Sequence, residues 1–182
     1  MNERTMTEQK EQRNWLVLRT FNRRERDVSD FLKEKGLPHF IPMRYKEKAT
    51  PDGRLQRVLV PVVHNYLFVE EQMPVQDMKS LMAECRYPLH FLSRRDDKQP
   101  YVISEREMLE FRMLCDPSFE AKITVNTEGE DVPVGKEVEV IHGQFAGMRG
   151  RLIRKQKQYW FIKTIAGISV QLRITRWYCK PL

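Results

Sequence analysis

Trp15-Leu-Val-Leu-Arg-Thr20-Phe-Asn22-Arg-Arg-Glu25 decides how the first half of the chain is read. Its first six residues have the apolar density of a mostly buried strand. Asn22 then offers a side chain that can cap a helix, Glu25 stands three residues on in the capping-box position, and Gly36 falls where a left-handed C-terminal cap belongs. Val28, Phe31 and Leu32 repeat at i, i+3 and i+4, so the helix has one buried face. Arg23, Arg24 and Arg26 crowd its first turn, where cations oppose the helix dipole. That small cost has no evident structural return, which leaves function or simple solvation to account for it.

Working outward, His39 to Lys48 reads as a strand, Pro51-Asp52-Gly53-Arg54 as a turn, and Leu55 to Val60 as the returning strand of a basic, hairpin-like excursion. Tyr66 to Val69 is a short apolar strand. Val75, Met78 and Met82 mark a second helix, and Leu89 to Leu92 a further strand. Ser104 and Glu107 form another capping box, opening a helix with Met108, Phe111 and Cys115 towards one side. Strands mixed with helices too short and irregular for repeated βαβ units predict an α+β domain over 14–116, its helices laid against an antiparallel sheet.

Residues 1–13 are polar and read as a frayed tail; residues 117–134, bounded by prolines and acidic near the end, read as a linker with a short strand at Ile123 to Val125. Residues 135–182 are all β in pattern. Val138/Val140, Leu152, Tyr159/Phe161 and Val170/Leu172/Ile174 are punctuated by Gly143, Gly147, Gly150 and Gly167. Short strands with tight glycine turns in so few residues predict a small closed barrel, which removes exposed edges.

Charge and cysteine usage narrow the class. The net charge is +7, and residues 135–182 alone carry ten Lys and Arg against two acids. A basic field so concentrated favours a polyanionic partner, RNA or DNA first, with a merely solvated surface as the alternative. No apolar run approaches the roughly 18–20 residues of a membrane span, and Met1 to Arg13 lacks the apolar segment of a secretion signal. A cytoplasmic, monomeric protein is expected. Cys85, Cys115 and Cys179 have no metal-ligand or redox spacing and read as reduced thiols. The four histidines, His39, His64, His90 and His142, are scattered and have no nucleophile pattern near them. No glycine loop precedes a helix in the manner of a phosphate cradle. Neither an enzyme nor a metal or cofactor protein is expected.

Two segments carry a resemblance. Val138-Glu-Val-Ile-His-Gly-Gln-Phe145-Ala-Gly-Met-Arg-Gly-Arg-Leu152 resembles the KOW motif, with Phe145 able to fold inward and Gly143, Gly147 and Gly150 permitting backbone angles other residues resist. Trp15-Leu-Val-Leu18, the Asn22-Arg-Arg-Glu25 helix start, Phe40-Ile-Pro42 and Asn65-Tyr-Leu-Phe-Val69 fall in the order and spacing of a NusG N-terminal domain. The chain thus resembles the NusG family, with an SH3-like KOW barrel after the first domain. Phe40-Ile-Pro-Met-Arg-Tyr45 and Pro61-Val-Val-His-Asn-Tyr-Leu-Phe-Val69 look like the UpxY branch, antiterminators of capsular polysaccharide operons in Bacteroides-like bacteria. Housekeeping members usually carry Phe-Pro-Gly-Tyr where this chain has Val63-His-Asn-Tyr66, which points to a specialised paralogue.

The resemblance implies an antitermination or elongation factor that grips the clamp helices of the largest RNA polymerase subunit through Phe21, Val63, Tyr66 and Phe68, with Trp15 nearby. Arg19, Arg23, Arg24, Arg26 and Arg86 would face the non-template DNA strand. Arg149, Arg151, Arg154, Lys155, Lys157 and Tyr159 would meet nascent RNA, or the barrel would engage a ribosomal protein or termination factor. The alternatives are a general elongation factor and a ribosome- or RNA-binding KOW protein.

Overall fold

A computed structural model describes residues 13–117 and 135–182, so nearly all of the expected N-terminal tail and of the linker, with the strand at Ile123 to Val125, lie outside the described residues. The chain divides into two compact units, one made of the residues through Met43 with Val63–Met108, the other of Arg44–Val62 with Leu109–Leu182.

The first unit is organised by β1 (Asn14–Arg19). It pairs antiparallel along its whole length with β5 (Tyr66–Glu70), setting Val17 opposite Phe68 and Arg19 opposite Tyr66. Its other edge is shared by β6 (His90–Phe91), opposite Leu18 and Arg19, and β7 (Val102–Ser104), opposite Asn14 to Leu16. A short β2 (His39–Phe40) flanks β5. Side chains alternate across a strand, so Leu16, Leu18, Leu67 and Val69 share one face. They pack with Val28 and Leu32 of α1 (Glu25–Glu34) and with Met78 and Met82 of α2 (Val75–Ala83). Burying each such side chain contributes about 1.5–3 kcal/mol. The other face is equally dry: Val17 and Phe68 are fully buried, Trp15 and Tyr66 almost so. Trp15 sends its indole N–H to Glu105 Oε2 at 2.5 Å, satisfying a donor that would be costly to bury unpaired. Glu105 opens α3 (Glu105–Leu114), whose Ser104/Glu107 capping box forms in both directions, Glu107 taking the Ser104 N–H at 3.0 Å and giving its own to Ser104 Oγ at 3.3 Å.

The expected His39 to Lys48 strand is divided. Pro42, which has no N–H to give a ladder, lies between β2 and β3 (Met43–Ala49), and β3 pairs only with β4 (Leu55–Pro61) in a separate two-stranded sheet. The turn between them closes as expected, with Gly53 at φ 81° donating to Thr50 O. Sequence reading overlooked β7, which at three residues is too short to show alternation.

The second unit holds a five-stranded antiparallel sheet in the order β11-β10-β9-β8-β12. These strands are β8 (Lys136–Val140), β9 (Arg149–Lys155), β10 (Gln158–Ile165), β11 (Ile168–Ile174) and β12 (Cys179–Pro181). The expectation of a closed barrel is corrected in part. Among the described residues no ladder joins β11 to β12, and β12 is three residues long and ends at Pro181, which lacks a donor. Phe145 does fold inward and is buried. Gly143 and Gly147 take φ of 78° and 89° as expected. Gly150 differs: its role is close approach, since a Cβ there would lie 2.5 Å from the Ile162 carbonyl and 2.6 Å from the Phe161 ring.

Candidate functional site

Between β1 and α1 the chain makes an unusual turn. Asn22 and Arg23 both adopt left-handed angles, φ 54° and 56°, which non-glycine residues enter at some cost. The expected capping box of Asn22 with Glu25 is therefore replaced. Helix α1 begins at Glu25, its N-cap is Arg24, and no side chain caps it. The segment that holds this turn is His64–Asn65. Asn65, itself left-handed at φ 71°, accepts the Thr20 N–H at its carbonyl (2.8 Å) and the Arg23 N–H at its side-chain oxygen (2.8 Å). Its own N–H donates to the Glu25 carboxylate, which is almost fully buried, with His64 Nδ1 3.5 Å from the same carboxylate oxygen. Thr20 also donates its hydroxyl to Pro88 O at 3.4 Å, tying the loop before β6 to the end of β1.

That arrangement collects part of the expected DNA-facing set. The Arg24 guanidinium lies 5.2 Å from the centre of the Tyr87 ring and that of Arg86 lies 4.9 Å from it. Both are cation–π distances, so one tyrosine holds two guanidiniums at a common edge. Arg24 also pairs with Asp27 at 3.2 Å. Arg23, next in sequence to Arg24, is exposed; Arg26 is exposed as well, but two residues past Arg24 it faces another side of α1. Acids share the neighbourhood: Asp27, Asp30, Glu34 and Glu84 line the shallow groove between α1 and residues 84–87. Arg19 joins a different group. It is half-buried, 5.8 Å from the Phe21 ring and 6.0 Å from that of Tyr66, and Phe21 meets His90 edge-on at 5.6 Å.

Of the expected polymerase-facing residues, Phe21 alone is exposed, at 38 %. Val63, Tyr66 and Phe68 are buried, Phe68 completely and 6.3 Å from the Phe40 ring. This corrects the expectation that the Asn65–Val69 strand displays its rings. The signal was in the sequence: Tyr-Leu-Phe-Val is a continuous apolar run, the mark of a strand covered on both faces. Tyr87 was overlooked although it directly follows Arg86.

The basic residues expected around the first hairpin of the C-terminal domain lie on β9 and the turn after it, Arg149, Arg151 and Lys155 on one face and Arg154 on the other. Arg149 pairs with Glu139 at 3.2 Å. Arg154 lies opposite Tyr159, 5.7 Å from its ring, in the row that continues to Leu152 and Phe161. Strand alternation puts Arg151 and Lys155 on the other face. Gln156 and Lys157 form a two-residue turn at φ 50° and 62°, placing Lys157 at the hairpin tip. The histidines have structural neighbours: His39 bonds Ser29 Oγ at 2.7 Å and His142 packs edge-on against Tyr178. No group of three potential metal ligands occurs among the described residues, and no described helix is long and apolar enough to cross a membrane. Burial pushes the Cys115 thiol up to about 12.

Comparison with known proteins agrees with this architecture. A family model described as transcription termination factor NusG matches residues 13–112. Among solved structures, one of domain interaction in Thermotoga maritima NusG superimposes with a TM-score of 0.51 at 18 % identity, covering 93 % of this chain and 97 % of that one. A crystal structure of an MjSpt4:Spt5 complex is matched at a TM-score of 0.26 and 14 % identity, over 92 % of this chain and 96 % of that one. No curated protein matches the chain. The family model spans nearly all of the α+β domain built on β1, and its description places the chain among transcription factors. The chain belongs to the NusG family.

Proposed function

We propose that this protein is a locus-specific transcription antiterminator of the branch serving capsular polysaccharide operons, acting by docking on the largest-subunit clamp helices of RNA polymerase. The observation that carries the reading is Asn65. It stands in the string where housekeeping relatives carry Phe-Pro-Gly-Tyr, and its side chain and backbone hold Arg23, Thr20 and Glu25. The departure from the general pattern thus lies in the element that shapes the basic edge, where a change of nucleic-acid target would be made.

In this reading Phe21 supplies the apolar contact, while the buried Val63, Tyr66 and Phe68 act only through the core. Arg23, Arg24 and Arg86 take the non-template strand, helped by Arg19 and Arg26. Guanidiniums suit this because they can neutralise phosphate, stack on bases or bind guanine edges in a fork. Arg149, Arg151, Arg154, Lys155, Lys157 and Tyr159 serve a further partner of the C-terminal sheet. No bond is made or broken; the factor favours one polymerase conformation by binding it better. The test is transcription in vitro across a terminator, with and without a candidate capsular leader. Leader-dependent read-through is expected, with loss of polymerase co-purification in Phe21→Ala. Leader-independent read-through would instead make the protein a general elongation factor, and absence of polymerase association would discard the reading.

A further inference from the structure

The most exposed large apolar side chain among the described residues is Trp177, at 85 %, and Tyr178 beside it is 44 % exposed. Neither lies on a loose end. They occupy a single 3-10 turn, Arg176–Tyr178, between β11 and β12. Arg176 donates from Nη1 to Cys179 O at 2.9 Å, Tyr178 N–H donates to Thr175 O at 3.1 Å, and Tyr178 O accepts the Ile141 N–H at 2.8 Å. Cys179 continues into the ladder opposite Val140. The Tyr178 ring lies over Gly143, where a Cβ would touch it at 3.6 Å, and meets the exposed His142 ring at 5.7 Å between centroids. The turn is therefore fixed, and it presents an indole, a phenol and an imidazole to solvent. Around them Arg173, Arg176 and Lys180 carry positive charge, and residues 168–182 contain no acid. The acid across the ladder from Lys180, Glu139, is tied to Arg149.

We propose that this turn, with His142, is a stacking platform for single-stranded RNA, a site separate from the basic edge of the first unit and from the Arg154–Tyr159 pair. Bases stack on aromatic faces without regard to sequence while neighbouring cations neutralise phosphates. Held in place by its backbone bonds, Trp177 needs no ordering of the chain to accept a base. The choice of RNA rests on the reading as a polymerase-bound antiterminator, since nascent RNA is the single strand such a factor's polymerase continuously makes.

The test is a fluorescence titration of the full-length protein with a twelve-nucleotide oligo(U), without polymerase. Trp15 is almost fully buried and Trp160 is half-buried, so the titration is made in a Trp160→Phe background, where base stacking should quench chiefly Trp177. Saturable quenching is expected. Trp177→Ala should abolish it and weaken binding roughly 5- to 150-fold, the loss that about 1–3 kcal/mol per stacked base represents, while Trp177→Phe, followed by fluorescence anisotropy of labelled RNA, should retain much of the affinity. Arg173→Gln and Lys180→Gln should each flatten the log–log salt dependence by about 0.7. Binding unaltered in Trp177→Ala overturns the proposal, as does equal or tighter binding of oligo(dT). Polymerase co-purification should survive Trp177→Ala; its loss would make the surface a protein contact and also overturn the proposal. If RNA binding fails while polymerase association persists, only this inference falls. If polymerase association fails while RNA binding persists, only the reading as a polymerase-bound antiterminator does.

Discussion

Replacing Asn65 tests whether a single residue sets the shape of the basic edge. Asn65→Ala removes the side-chain oxygen that accepts the Arg23 N–H at 2.8 Å, an exposed bond worth about 0.5–1.5 kcal/mol net. It also puts an alanine at φ 71°, where an ordinary L-residue costs about 1–2 kcal/mol. The backbone bonds to Thr20 and Glu25 can persist. The expected loss is therefore about 1.5–3.5 kcal/mol. Asn65→Gly removes the same hydrogen bond but tolerates the angle, so its loss should be about 1 kcal/mol. Urea unfolding of the first unit, followed by the fluorescence of Trp15 in a Trp160→Phe, Trp177→Phe background, reads the difference. Both variants should also weaken binding of single-stranded DNA, because Arg23 is no longer held in its left-handed conformation. The reasoning is refuted if Asn65→Ala is as stable as the parent, or if the glycine variant is the less stable of the two.

Gly150→Ala should destabilise the second unit by about 1–3 kcal/mol or more, as overpacking does, because its Cβ meets the rigid Ile162 carbonyl as well as the Phe161 ring; thermal unfolding measures it. The Cys115 thiol, pushed up from an ordinary 9.0 to about 12, keeps its proton in the fold longer than in the unfolded chain. Its contribution is fully present below pH 9 and is lost as pH rises towards 12, so stability should decline through that window and Cys115→Ser should flatten the decline. At neutral pH the half-exposed Cys85 should be alkylated well before Cys115 and Cys179, which are buried; mass spectrometry of the native protein decides.

Most of the longer strands and helices were legible because their apolar residues repeat at the period of each element, as in Val28 and Leu32 of the first unit or Val138 and Val140 of the second. The Ser104/Glu107 capping box was legible for the same reason, being a local signal. The similar-looking Asn22/Glu25 box was not. There the outcome depended on Asn65, forty residues away along the chain from Glu25, and no local rule anticipates a carboxylate claimed by a distant amide. Burial of Tyr66 and Phe68 was misjudged because a family role was laid over a pattern that by itself said core. The platform at Trp177 left almost no periodic trace, since a three-residue turn has no period.

Strand β1 hydrogen-bonds on both edges to segments that follow it by long stretches of chain, and Trp15 bonds a carboxylate ninety residues further on. During synthesis the first strand therefore leaves the ribosome with neither neighbour available. Its run of apolar side chains must wait, exposed or sheltered by a chaperone, until the last of its partners emerges. Slowed translation between residues 70 and 104 would lengthen that wait and raise the yield of aggregated nascent chains.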